Sequence, residues 1–135
     1  MIVSENPLAT FLVTGANRGI GLEFCRQLHD RDDHVIAVCR QASPELEGMG
    51  VEIQAGIELT CETSIQRLVR NLGKRQLDGV ILNAGILQSM SLENLDSKGI
   101  KRQFEVNALA PLLLAQSLIE QMPHGAKLAL ITSRM

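Results

Sequence analysis

Aromatic residues are nearly missing from this 135-residue chain: it has three Phe and no Trp or Tyr. Base-stacking surfaces need aromatic faces, so a single-stranded nucleic-acid binder is not expected. The core has to be aliphatic. The chain also lacks a strong excess of either charge. Its net charge is -2, which offers no attraction to nucleic acid or to an anionic membrane. No run of about 18 apolar residues occurs, so no membrane-spanning helix is expected. The first ten residues contain Glu5 and Pro7 and have no basic region followed by an apolar run, unlike a signal peptide. A cytoplasmic location is the resulting expectation. Cys25, Cys39 and Cys61 are odd in number and widely spaced, with no CxxC. That argues against a disulfide framework and a zinc site. His29, His34 and His124 share no ligand spacing, so no metal site is expected. Buried thiols in a reducing compartment are the simplest reading of the cysteines.

What is present is ordinary for one globular domain. Apolar residues make up 45% and charged residues 21%, and the length suits a single core over residues 1–135. Residues 9–14 are a short apolar run ending at Gly15, which reads as a buried strand. Residues 19–31 place Ile20, Phe24, Cys25 and Leu28 on one helical face. A second strand is expected over 34–39. Residues 40–50, with Pro44, Gly48 and Gly50, read as a loop with room for one helical turn. Residues 51–57 alternate like a third strand. Ile65, Leu68, Val69 and Leu72 follow i, i+3, i+4, i+7, an amphipathic helix that Gly73 can stop. A fourth strand follows at 79–83, then a polar loop over 84–95.

Asp96 to Met122 reads as one long helix, expected to bend or break at Pro111. Its second half, Leu109 to Ile119, is apolar on more than one face, so it should be covered on two sides. One side would rest on the sheet, and the other can meet a second subunit. A fifth strand is expected over 126–132. Apolar strands alternating with helices describe a parallel sheet covered on both faces. No repeat or low-complexity segment interrupts the pattern.

Thr14-Gly15-Ala16-Asn17-Arg18-Gly19-Ile20-Gly21 lies where the first strand turns into the first helix. Gly15 permits a tight turn, Gly19 lets backbone approach a pyrophosphate, and Gly21 allows close packing of helix on strand. The helix start supplies free N–H groups and partial positive charge, which suit a phosphate. The spacing is GxxxGxG, and no P-loop GK[ST] follows. A glycine-rich turn without a ligand is the alternative.

Four motifs in order then carry a resemblance. They are TGxxxGIG at Thr14 to Gly21, an Asn83-Ala84-Gly85 run after the fourth strand, Asn107 in Phe-Glu-Val-Asn, and Ser133 at the end of the fifth strand. Together they resemble the classical short-chain dehydrogenase/reductase family over essentially the whole chain. VTGANRGIGLEF and VIAVCR resemble its carbonyl-reductase-like and C-factor-like branch. Singly, each motif has a plainer reading: a strand end and turn, a helix-surface Asn, a loop Ser. The resemblance implies an α/β fold, a Rossmann-type doubly wound parallel sheet. About five strands are read, whereas the dinucleotide fold has six in order 3-2-1-4-5-6, so the sheet is incomplete. It also implies cofactor contacts from Gly15, Asn17, Arg18, Gly19, Ile20, Gly21, Asn83, Ala84 and Gly85.

An NAD enzyme of this fold usually has a carboxylate after the second strand, to bind the ribose 2'-OH. Here Cys39 and Arg40 occupy that place, and the first acid is Glu45. A guanidinium at Arg40 matches the geometry of a 2'-phosphate, and Arg18 adds a second positive charge. The resemblance therefore implies NADP(H) in preference to NAD(H); two solvated surface arginines are the alternative. The family's adenine-contacting Asp corresponds to Glu58, followed by Leu59, and the longer side chain changes that contact.

The resemblance further implies hydride transfer between nicotinamide and a small carbonyl or alcohol substrate. In the family a Tyr moves the proton, a Lys lowers the Tyr pKa, a Ser orients the substrate oxygen and an Asn supports a proton relay. Ser133 and Asn107 match the last two roles. The family's Tyr and Lys follow the fifth strand as YxxxK. This chain ends at Met135 and has no Tyr. Three readings stand: a reductase seen in part, with these 135 residues inactive alone; a non-catalytic nucleotide-binding or interaction protein; an α/β domain without nucleotide. A homo-oligomer formed through the 105–122 helix is the expected assembly.

Overall fold

The computed structural model describes residues 8–132. Five parallel strands form one sheet: β1 (Thr10–Thr14), β2 (His34–Val38), β3 (Glu52–Gln54), β4 (Gly79–Leu82) and β5 (Lys127–Leu130). Their order is β3-β2-β1-β4-β5. The connecting helices are α1 (Gly19–Asp30), α2 (Pro44–Glu47), α3 (Glu62–Leu72), α4 (Ser97–Phe104) and α5 (Ala110–Leu118).

Period-two alternation along the strands sorts the core into two aliphatic layers. Leu12, Ile36, Val38, Val80 and Leu82 face one side, where Leu68 and Leu72 of α3 meet Leu114 and Leu118 of α5. Val13, Val35, Ala37 and Ile81 face the other, against Cys25 and Leu28 of α1 and Leu46 of α2. Helices thus cover both faces of β1, β2 and β4, while Leu128 and Leu130 of the edge strand β5 stay exposed. No Phe is fully buried. Phe11 is partly buried, and its cross-strand partner Gly79 makes room for its ring.

Boundaries differ from the sequence reading where backbone chemistry intervenes. The third strand stops at Gln54 rather than 57 because Gly56 turns the chain at φ +71. Residues 40–50 contain the α2 turn, started by Ser43, whose hydroxyl accepts from the Leu46 N–H at 3.3 Å. The long helix does not break at Pro111. Its irregularity falls one turn earlier, in a π-helical turn over Glu105–Leu109, and Pro111 sits in the first turn of α5. That placement is physical: Pro has no N–H for the carbonyl four residues back, a loss that the first turn of a new helical segment tolerates.

One ion cluster ties β3 to the segment that follows α3. Arg75 donates to Glu52 through Nη1 at 2.6 Å and Nη2 at 2.9 Å, and His34 Nε2 lies 3.6 Å from the same carboxylate. The Arg75 hydrogen bonds hold the Glu52 carboxyl below the usual range. A carboxyl depressed on folding adds stability that is present above its unfolded pKa and is lost as pH falls through the folded one. Glu52→Gln is therefore expected to cost about 0.5–1 kcal/mol at pH 7. The penalty should fade below about pH 4. Urea midpoints of both proteins across that pH range measure it, and a pH-independent gap would refute the assignment.

Candidate functional site

The strand order reverses between β1 and β4, and the crevice beyond their carboxyl ends is where ligands bind in open sheets of this kind. Here it is a cleft of about 880 Å³. The end of each of the first four strands contributes to its lining.

Its floor depends on one close approach. Gly15 has φ +61, and a Cβ there would sit 2.8 Å from the Cα of Ala84. Only glycine satisfies both conditions. The Thr14 hydroxyl accepts from the Asn83 N–H at 3.0 Å and the Ala84 N–H at 3.2 Å. The Asn83 side-chain amide in turn donates to the Gly15 carbonyl at 3.2 Å. Gly21, buried in the first turn of α1, would drive any Cβ into the Gly15 carbonyl and the Asn83 amide. Its role is to admit the turn itself, more than the strand behind it.

Above that floor the N-terminus of α1 is uncapped. Arg18 is extended and no side chain bonds the first N–H groups, which leaves an electropositive helix end facing the cleft. Gly19, at φ +57, has nothing within 4 Å of where a Cβ would lie. The Oδ1 of Asn17 is buried with no hydrogen-bond partner. An open cradle with free donors and an orphaned acceptor fits a bound phosphate-bearing ligand with polar groups of its own.

Gly15, Asn17, Arg18, Gly19, Ile20, Arg40, Glu58, Leu59, Asn83, Ala84 and Gly85 all line this one cleft. Gly21 lies behind it. Asn107 does not line it either. Its Oδ1 accepts from the Ile86 N–H at 2.8 Å and its Nδ2 donates to the Ile86 carbonyl at 2.7 Å. Both polar ends thus hold the loop that follows Gly85, from within the π-helical turn. Ser133 lies outside the described residues.

Several residues at the cleft were not singled out from the sequence, among them Arg102, Val106 and Ser43. Arg102 and Val106 line the cleft one helical turn apart; their i, i+4 spacing was readable, but which face of the long helix met the cleft was not. Ser43 lies behind the wall, and its hydroxyl donates to the Asn17 carbonyl at 2.7 Å. The same oxygen caps α2, so it ties the glycine turn to the segment following Arg40. No sequence signal marks such a link. Two of the three thiols pack beneath this region. Burial, with Cys39 nearby, pushes Cys25 up to about 11, and burial raises Cys39. Neither is a nucleophile at neutral pH. Cys61 is lowered by hydrogen bonding with Thr63 and Ser64, away from the cleft lining.

A parallel sheet with a glycine turn at its switch point and an uncapped helix end above it defines a nucleotide-binding fold of the Rossmann type. Comparison narrows this. The short chain dehydrogenase family matches residues 9–134, and the chain belongs to that family. It is 35% identical over 130 residues to a 1-hydroxy-2-glutathionyl-2-methyl-3-butene dehydrogenase of Rhodococcus sp. (strain AD45), covering 95% of this chain and 58% of that one. A carbonyl reductase of Pseudomonas aeruginosa PAO1 in complex with NADP superposes with TM-score 0.85 at 34% identity, over 95% of this chain and 60% of that chain. A short-chain dehydrogenase/reductase of Burkholderia multivorans with bound NADP shares the fold, with TM-score 0.86 at 21% identity over 94% and 59% of the two chains. The chain thus spans little more than half the length of these relatives. Among the described residues no helix is long and apolar enough to cross a membrane.

The Thr14 hydroxyl carries two backbone N–H groups at once. Thr14→Val should cost about 1–3 kcal/mol through those unsatisfied donors. Thr14→Ser should recover most of it. Guanidinium unfolding tests this; equal stability of the Val and Ser forms would refute the role.

Proposed function

We propose that this chain is the dinucleotide-binding domain of an NADP(H)-dependent oxidoreductase, one domain over its 135 residues, acting on a small carbonyl or alcohol substrate. The observation that carries the reading is the cradle over α1: an open, positive-φ Gly19, free helix N–H groups and the orphaned Asn17 Oδ1.

In this reading the pyrophosphate lies on the α1 N-terminus, approached by Gly15, Asn17, Arg18, Gly19 and Ile20. Adenosine lies toward Glu58 and Leu59, with Arg40 and Arg18 beside its ribose. Asn83, Ala84 and Gly85 form the wall beyond. Arg40 is mostly exposed, within reach of a 2'-phosphate. The bound cofactor would supply or accept hydride; the chain's own residues bind it and orient it. Asn107 acts here by holding the Ile86 loop, and Ser133 is assigned to substrate orientation. The NADP complexes of two structural neighbours are consistent with this cofactor. Three free thiols suit the reducing cytoplasm.

The exposed face of the long helix supports a homo-oligomer. Phe104, Leu109, Leu112, Leu113 and Ile119 are all solvent-exposed. Such a face is what a second copy would bury.

Calorimetric titration tests the cofactor reading. NADPH should bind the wild-type chain. Gly19→Val should abolish binding, because the new side chain is strained at φ +57 and fills the cradle. Arg40→Asp should weaken NADPH at least about tenfold more than NADH. Equal losses would refute the 2'-phosphate assignment, and unchanged affinity in Gly19→Val would refute the turn assignment. These 135 residues should not oxidise NADPH when an aldehyde is added; turnover would overturn the reading that they are inactive alone. Separately, Leu112→Glu should shift sedimentation toward monomer, and no shift would exclude this helix as the interface.

A further inference from the structure

The adenosine end of the cleft carries both signs of charge. The cleft as a whole is lined by three arginines, Arg18, Arg40 and Arg102, and a single acid, Glu58. Glu58 Oε2 lies 3.9 Å from Arg40 Nη1. The other carboxylate oxygen accepts from the Thr60 hydroxyl at 3.1 Å.

The spacing of this pair is set by backbone. Just past β2 and β3 the two chains remain bonded: the Gly56 N–H donates to the Arg40 carbonyl at 2.8 Å and the Ile57 N–H to the Cys39 carbonyl at 3.1 Å. The Glu58 backbone is therefore held beside that of Arg40 with or without a ligand. A phosphate that reaches the Arg40 guanidinium comes within range of the Glu58 carboxylate.

We propose that Glu58 is a specificity-determining residue that opposes a 2'-phosphate at Arg40, so that the chain separates NADPH from NADH less steeply than its arginines alone would. This rests on the dinucleotide reading above. Two effects of Glu58 compete. It can hold Arg40 in place, which would favour NADPH, or it can neutralise Arg40 and repel the phosphate. The Arg40 side chain is 71% exposed and Glu58 40%, and an ion pair so open to water imposes little order. The repulsion persists after the pair is broken, because a phosphate monoester carries about -1.5 to -2 charge at pH 7. Opposition is the larger effect. NADH presents only a hydroxyl at that point and escapes it.

The test is calorimetric titration of wild type, Glu58→Gln and Glu58→Ala with NADPH and with NADH. In both variants the ratio of the NADPH Kd to the NADH Kd should fall roughly three- to tenfold. The gain should shrink in about 0.5 M salt, where the Debye length is only a few ångströms. A smaller gain should remain in an Arg40→Gln background, because the carboxylate–phosphate repulsion does not need the guanidinium. Equal weakening of both cofactors would overturn the proposal and make Glu58 an adenine contact. Weakening of NADPH alone would overturn it in favour of a residue that orients Arg40. An unchanged ratio would overturn it as a solvated pair. If wild type binds neither cofactor, the dinucleotide reading itself fails, an outcome distinct from the other three.

Discussion

The contact between the ends of β1 and β4 is the constraint on which the cleft depends. Two parallel strands that neighbour each other must send their chains on in different directions at a switch point, and the gap they leave is the site. Here the gap is held at a fixed width by a few atoms. The Thr14 hydroxyl accepts two N–H groups from the β4 end, and the Asn83 amide returns a hydrogen bond to Gly15. Gly15 and Gly21 are the residues that let this happen, since a Cβ at either would enter the space the partner occupies. The uncapped N-terminus of α1 is aimed by the same arrangement. A helix end free of side-chain caps is a cost to the fold unless something else satisfies it.

The far wall is organised from the long helix. A regular α-helix continuing from Asp96 through Pro111 would lose the Pro hydrogen bond in mid-course. The π-helical turn at Glu105–Leu109 absorbs the discontinuity before α5 begins. Such turns often accompany functional sites. In this one Asn107 reaches both the N–H and the carbonyl of Ile86, and Gln103 accepts from the Gln88 N–H at 3.0 Å. The loop after Gly85 has no strand partner of its own and takes its shape from those side chains. A residue expected to serve chemistry directly thus has a clear mechanical task as well.

Much of this was legible because its causes are local. Apolar runs bounded by glycine gave the strands, the i, i+3, i+4, i+7 set of α3 gave the helix, and the turn at Gly15 declared itself by composition and position. What escaped depended on contacts between distant segments. Gly56 ended β3 early through a positive φ that no pattern of alternation reveals. The break in the long helix was expected at Pro111 and lies just before it, because the chain distorts where it can rather than where the offending residue sits. Ser43 is invisible in sequence as a link to Asn17, since 26 residues separate them. Arg102 could be placed on the helix but not aimed into the cleft without knowing the helix's rotation.

The Arg40 end of the cleft shows the same division at the level of charge. Arg40 is predictable as a cation after β2, because the strand end fixes where it lies. Glu58 is predictable as an acid after β3, for the same reason. That they face one another follows only from the register joining those strands, Ile36 to Glu52 through Val38 to Gln54, and from the backbone bonds that continue it to Ile57. A one-residue slip would turn every side chain of β3 to the other face and displace Glu58 from Arg40. The balance between these two charges is therefore a property of sheet register. It belongs to neither residue alone, and neither strand end by itself reveals it.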